Sequence, residues 1–94
     1  MNNPKQIGGI IQKTLVRLGL WDSVQEERLL TDWENLVGDK IARYTKPVNF
    51  QDGELWLIVE DPVWRTQIFN IKEALISMLN EKLGKRTIQR IRIF

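Results

Sequence analysis

Trp56, Ile58 and Phe94, together with Arg90 and Arg92, are the residues whose types and spacing suggest chemistry. In the run Glu54–Glu60 (ELWLIVE), apolar residues fill both sets of alternate positions. On a strand, Leu55, Leu57 and Val59 point one way, and Trp56, Ile58 and Glu60 point the other. The last run alternates too: Ile91 and Ile93 against Ile88, Arg90, Arg92 and Phe94. If helices cover the Leu55–Leu57–Val59 side, an open face is left with Trp56, Ile58 and Phe94 beside Arg90 and Arg92. Aromatic rings stack unpaired bases, and arginine holds phosphate or stacks as well. Trp and Arg are equally at home as anchors in protein interfaces. Three uses of the face are open at this level: burial under the first helix or its loop, a protein partner, or a nucleic acid.

The second group is the basic set near the C-terminus, Lys82, Lys85, Arg86, Arg90 and Arg92. These are the candidate nucleic-acid contacts. The plainer alternative is structural. Lys82, Lys85 and Arg86 also suit the negative end of a helix, and charged residues on an edge strand block sheet-to-sheet association. The charge is segregated along the chain. Residues 1–21 carry three bases and no acid, residues 22–61 carry ten acids and four bases, and residues 62–94 carry seven bases and two acids. Basic ends around an acidic middle can orient a charged partner.

Much other chemistry is excluded. With no Cys and no His there is no thiolate nucleophile, no imidazole base and no usual zinc ligand set. Ser23 and Ser77 are the only serines, and neither has a histidine to activate it. The expectation is a protein that is not an enzyme, with no catalytic residue, metal, cofactor or small-molecule substrate. No apolar run approaches the ~20 residues that span a bilayer, and residues 1–9 lack a signal pattern. No membrane partner is expected, and a cytoplasmic location is.

The chain of 94 residues fits one domain, 1–94. Ile7, Ile10, Ile11, Leu15 and Leu18 recur at helical spacing within an N-terminal helix, residues 1–20. A second helix, residues 22–45, opens on Asp22-x-x-Gln25 and Ser23-x-x-Glu26, both capping-box patterns. Its apolar stripe includes Trp33, read as core, and is interrupted by Gly38, read as a close approach of another element. Pro47 ends the helix, and a hairpin follows at 47–60. Val48 and Phe50 alternate as strand residues, and Asp52-Gly53 makes the two-residue turn. Asp61-Pro62 pairs an N-cap with a first-turn proline, opening a long helix over 62–84 that carries Trp64 as a core residue and stops at Gly84. A last strand lies at 87–94, parallel or antiparallel. The order is helix-helix-strand-strand-helix-strand, which predicts an α+β fold: a small three-stranded sheet, mostly antiparallel, with helices on one face.

These residues also carry a resemblance. Trp33-x3-Val37-Gly38-x2-Ile41-Ala42-x2-Thr45-x-Pro47 leads into Phe50-x-Asp52-Gly53-x-Leu55-x-Leu57-x-Val59. Pro62-x-Trp64, Leu75-x3-Leu79-Asn80-x2-Leu83-Gly84 and Ile91-Arg92-Ile93 follow. Over residues 25–94 the chain resembles the bacterial DciA family. The resemblance implies a KH-like domain that binds the replicative DNA helicase and assists its loading onto single-stranded DNA, with single-stranded DNA binding as a secondary activity. Trp56, Ile58 and Phe94 are then the candidate helicase contacts. Arg65, next to the motif Trp64, departs from the family pattern. The G-x-x-G loop with which KH domains clamp a nucleic-acid backbone is missing, so KH-style RNA binding is not expected. The competing readings are a stand-alone nucleic-acid-binding module and a self-associating structural domain.

Overall fold

In a computed structural model, residues 13–84 and 87–94 are described. Most of the expected N-terminal helix therefore lies outside the described residues; residues 13–17 are helical. The elements that follow are α1 (Trp21–Thr31), α2 (Trp33–Val37), α3 (Asp39–Tyr44), β1 (Lys46–Gln51), β2 (Glu54–Ile58), α4 (Pro62–Asn70), α5 (Lys72–Leu83) and β3 (Arg90–Ile93). The fold is α+β with one three-stranded sheet, ordered β1-β2-β3. β1 and β2 pair antiparallel, and β2 and β3 pair parallel, so the sheet is mixed.

The hairpin follows local rules. Gln51 pairs with Glu54 around a two-residue turn, and both Asp52 (φ 53°) and Gly53 (φ 78°) adopt positive φ. Asp and Gly are the pair that tolerates this at both positions. Leu55, Leu57 and Val59 are at most 1% exposed, as their alternation predicts. Val48 departs from it. The register slips between Pro47 and Asn49, which turns Val48 outward and leaves Pro47 and Phe50 on the buried side. A one-residue bulge inverts the alternation on one side of the insertion.

The helices are shorter than the apolar periodicity suggests. The expected second helix is three helices, broken at Asp32 (φ −116°) and at Gly38 (φ 87°). Gly38 is not a close-approach site: a Cβ there would meet nothing within 4 Å. Its role is the positive φ that ends α2 and redirects the chain into α3. The capping boxes do not form either. α1 starts at Trp21 with no side-chain cap. The Asp22 carboxylate instead accepts from the Asp52 N–H (3.1 Å), and the Glu26 carboxylate accepts from the Phe50 N–H (3.3 Å), tying α1 to the hairpin. The expected long helix bends at Ile71, whose N–H is shared between the Gln67 and Ile68 carbonyls, both at 3.2 Å.

Asp61 caps α4 as predicted, accepting from the N–H groups of Val63 (2.8 Å) and Trp64 (3.3 Å), with Pro62 in the first turn. Arg65 then donates twice to the Val59 carbonyl, at 3.1 and 2.9 Å, fastening the end of β2 to α4. Replacing Asp61 by Ala leaves those helix N–H groups without their acceptor. Urea denaturation is expected to show a loss of about 1 kcal/mol; no loss would mean that water caps α4 equally well.

The core lies between the sheet and the helices. Leu29, Trp33 and Leu36 from α1 and α2, Phe50, Leu55 and Leu57 from the hairpin, and Ile68, Leu75 and Leu79 from α4 and α5 form one buried cluster. Ile88, expected on the open face, is 1% exposed. It precedes β3 and is held by the Asn80 side chain, which accepts from its N–H (2.7 Å) and donates to its carbonyl (2.8 Å). Trp64 is half-buried and packs against this core from its margin; its ring also stacks on Tyr44, with centroids 4.4 Å apart and planes inclined by 11°.

Candidate binding face

The face of the sheet turned away from the core is built by register. Trp56 lies between Asn49 of β1 and Arg92 of β3, and Glu54 lies between Gln51 and Arg90. Ile58 pairs with Lys46. Directly opposed residues share a face of the sheet, so these side chains form one surface. Phe94 follows β3, and its backbone continues the ladder. Its N–H donates to the Leu57 carbonyl (2.9 Å), and its carbonyl accepts from the Val59 N–H (3.1 Å). That pairing holds the Phe94 ring beside Trp56, with centroids 5.3 Å apart and planes inclined by 58°.

Arg92 sits against both rings, its guanidinium carbon 5.9 Å from the Trp56 centroid and 5.8 Å from that of Phe94. A cation at this distance from two rings gains from their negative faces. The sequence-predicted Trp56, Ile58, Phe94, Arg90 and Arg92 thus come together. Ile58 is 37% exposed and Phe94 49% exposed, so the described helices leave this face accessible.

Of the other predicted cations, Lys82 does not join them. Lys82 donates from Nζ to the Leu36 carbonyl at 2.7 Å, closing the C-terminal end of α2 from the helical side of the molecule. Its backbone carbonyl in turn accepts from Arg28. The lysine thus meets a helix end, but that of α2 and not of its own helix, whose negative end the plainer alternative invoked. Lys85 and Arg86 lie outside the described residues.

Glu54 and Lys46 are members of the face that sequence reasoning missed, and Glu54 is the one that touches the aromatic cluster. For Glu54 the contacts are specific. Its carboxylate accepts from the Trp56 indole N–H at 2.6 Å and faces Arg90 Nε at 3.5 Å and Arg92 Nη1 at 3.8 Å. The alternation drew attention to Glu60 instead. The available signal was Glu54-x-Trp56, which a strand places on one side, but its arginine partners depend on the β2–β3 register. The indole hydrogen bond, with the two guanidinium groups in support, holds the Glu54 carboxyl below its ordinary value of 4.5. A depressed folded-state value stabilises the fold above the unfolded value, and that contribution disappears as pH falls through the folded one. An NMR titration is therefore expected to place the Glu54 midpoint below 4.5, with the Trp56 indole resonance moving in step. A midpoint at or above that value, or an indole that does not respond, would dissolve the proposed link.

Among the described residues no helix is long and apolar enough to cross a membrane. Fold and face together define a small α+β domain that presents an aromatic–arginine sheet surface on the side opposite its core. The chain belongs to the DciA family: the family model described as Dna[CI] antecedent, DciA matches residues 6–93. It is similar to a UPF0232 protein of Corynebacterium glutamicum (strain R), 27% identical over 90 residues that cover 96% of this chain and 51% of that protein. It is also similar to a UPF0232 protein of Mycobacterium tuberculosis (strain ATCC 25618 / H37Rv), 25% identical over 93 residues, 99% of this chain and 50% of that one. A UPF0232 protein of Bifidobacterium longum (strain NCC 2705) is 28% identical over 92 residues, 97% and 58% of the two chains. The chain spans about half the length of the curated relatives it matches.

Proposed function

We propose that this domain is a non-catalytic adaptor that binds the replicative DNA helicase and assists its loading, with single-stranded DNA as a weaker second ligand. A helicase partner places it in the cytoplasm. The observation that supports this reading is the Trp56–Arg92–Phe94 cluster, held open to solvent on a chain of the DciA family. Large rings locked by neighbours lose little side-chain freedom on docking, which is why Trp and Arg dominate the energetics of protein interfaces. Ile58 extends the apolar centre, and Arg90 and Glu54 form a polar rim.

The test is a calorimetric titration of the purified replicative helicase into the folded domain. Saturable binding is expected, together with more helicase retained on single-stranded DNA when the domain is present. A monomeric, folded domain that binds no helicase at micromolar concentration would sink the proposal. Light scattering on the same sample separates the competing use of the face, since a species of twice the monomer mass would assign it to a second copy of the chain.

A further inference from the structure

Most cations among the described residues are already engaged. Lys82 and Arg65 donate to backbone carbonyls, Lys72 lies 4.5 Å from the Phe69 ring, and Arg90 and Arg92 share the single carboxylate of Glu54. Lys13, Arg17, Lys40, Arg43 and Lys46 have no such contact among the described residues, and of these Arg43 and Lys46 adjoin the open sheet face. Both are exposed, and neither side chain has a hydrogen bond, ion pair or ring contact among the described residues. They stand where α3 ends and β1 begins, and the residues between them are fixed. The Tyr44 ring stacks on Trp64, and the Thr45 hydroxyl accepts from the Trp33 indole N–H at 2.9 Å. A rigid backbone therefore presents two unengaged cations.

Their position relates them to the aromatic cluster. Lys46 pairs with Ile58 and so lies on the same face of the sheet as Trp56, at the edge opposite Arg92. Two strand spacings, roughly 10 Å, separate the two edges. Arg43, Tyr44, Lys46 and Ile58 border a recess of about 370 Å³ that runs off this edge. Glu60 and Asp61 border it as well. Both are opposing charges; the Asp61 carboxylate is held by two helix N–H groups, and Glu60 is the one that can be replaced without losing a helix cap.

Resting on the single-stranded DNA part of the proposed function, we infer that the strand crosses all three β-strands, with Arg43 and Lys46 as a second phosphate anchor opposite Arg90 and Arg92. Between the anchors lies Trp56. Its indole N–H is occupied by Glu54, so it offers a ring face and no donor to a base. Stacking without edge contacts tolerates every base, so the binding is independent of sequence. The alternation of cation, ring and cation fits a polymer with regular charge and a base between charges. Glu54 offsets part of the charge on the β3 side, as Glu60 and Asp61 do beside Arg43 and Lys46, so both anchors share the attraction.

The experiment is fluorescence anisotropy with a labelled oligothymidylate across a salt series, for wild type, Arg43→Gln/Lys46→Gln, Arg90→Gln/Arg92→Gln and Glu60→Gln. Unfolding curves confirm that each variant is folded, and the first pair breaks no interaction among the described residues. The expected result is a severalfold loss of affinity for Arg43→Gln/Lys46→Gln, with the salt slope flattened by roughly 0.7 for each phosphate that is no longer neutralised. Glu60→Gln is expected to bind more tightly. A wild type that binds no oligonucleotide would overturn the single-stranded DNA reading and this path with it. A wild type that binds, with affinity and slope unchanged in Arg43→Gln/Lys46→Gln, would overturn the path alone.

Discussion

Trp56→Ala is expected to lower affinity for the replicative helicase by at least about tenfold while costing the domain no more than ~2 kcal/mol of stability. The asymmetry comes from the position of the ring. Trp56 is half-buried on a strand whose neighbours Leu55 and Leu57 are 1% and 0% exposed on the opposite face. Its contacts are Phe94, Arg92 and Glu54, which lie at the surface themselves. Removing the ring therefore opens no sealed cavity, whereas deleting a fully buried aromatic ring costs about 3–5 kcal/mol. In an interface the same truncation removes a central anchor, typically worth about 2 kcal/mol or more in binding. Paired calorimetry and urea unfolding on one preparation decide the matter. A stability loss of about 3 kcal/mol or more with unchanged helicase affinity would make Trp56 a structural residue and remove the main support for the adaptor reading. Trp56→Phe keeps a ring against Phe94 and Arg92 and is expected to retain most of the binding.

The second large effect is expected at Trp33. This ring is 5% exposed within the core, and its indole N–H donates to the Thr45 hydroxyl, which donates in turn to the Ile41 carbonyl at 2.8 Å. One side chain thus joins α2, the end of α3 and the entry to β1. Trp33→Ala is expected to cost about 3–5 kcal/mol in urea unfolding, from lost burial plus the cavity left behind. That is a large part of the roughly 5–15 kcal/mol by which domains are stable. Trp33→Phe keeps most of the apolar contact and loses the N–H donor, so about 1 kcal/mol is expected. If the two variants cost the same, the indole hydrogen bond and not the packing holds this joint together.

Features governed by a few neighbouring residues were readable from the chain. The Asp52-Gly53 turn, the Asp61 cap with Pro62, the Gly84 stop at φ 92° and the buried set Leu55–Leu57–Val59 all appear where expected. Steric preference and side-chain alternation act over one to four residues, so local sequence suffices. Helix continuity was less readable. Apolar residues repeat at helical spacing through Asp32, Gly38 and Ile71, yet the backbone leaves the helix at each of them. Periodicity reports which side of a helix is apolar and is blind to a bend that keeps that side against the core. The capping boxes failed for a related reason: Asp22 and Glu26 found backbone donors on the hairpin, about thirty and twenty-four residues away in sequence.

The binding face divides in the same way. By itself the sequence put Trp56 and Ile58 on one side of their strand, and Arg90, Arg92 and Phe94 on one side of theirs, because alternation sends them away from the core once Leu55, Leu57 and Val59, and separately Ile91, are buried. Only the tertiary structure decided that β3 runs parallel to β2, which sets Glu54 against Arg90 and Trp56 against Arg92. It also decided that Lys82 serves a helix end while Arg43 and Lys46 stand unengaged among the described residues, at the far edge of the face. Those outcomes depend on which strand the α4–α5 crossover returns to and in what register. Register is set by the summed burial of the whole core, and no short stretch of sequence contains that sum.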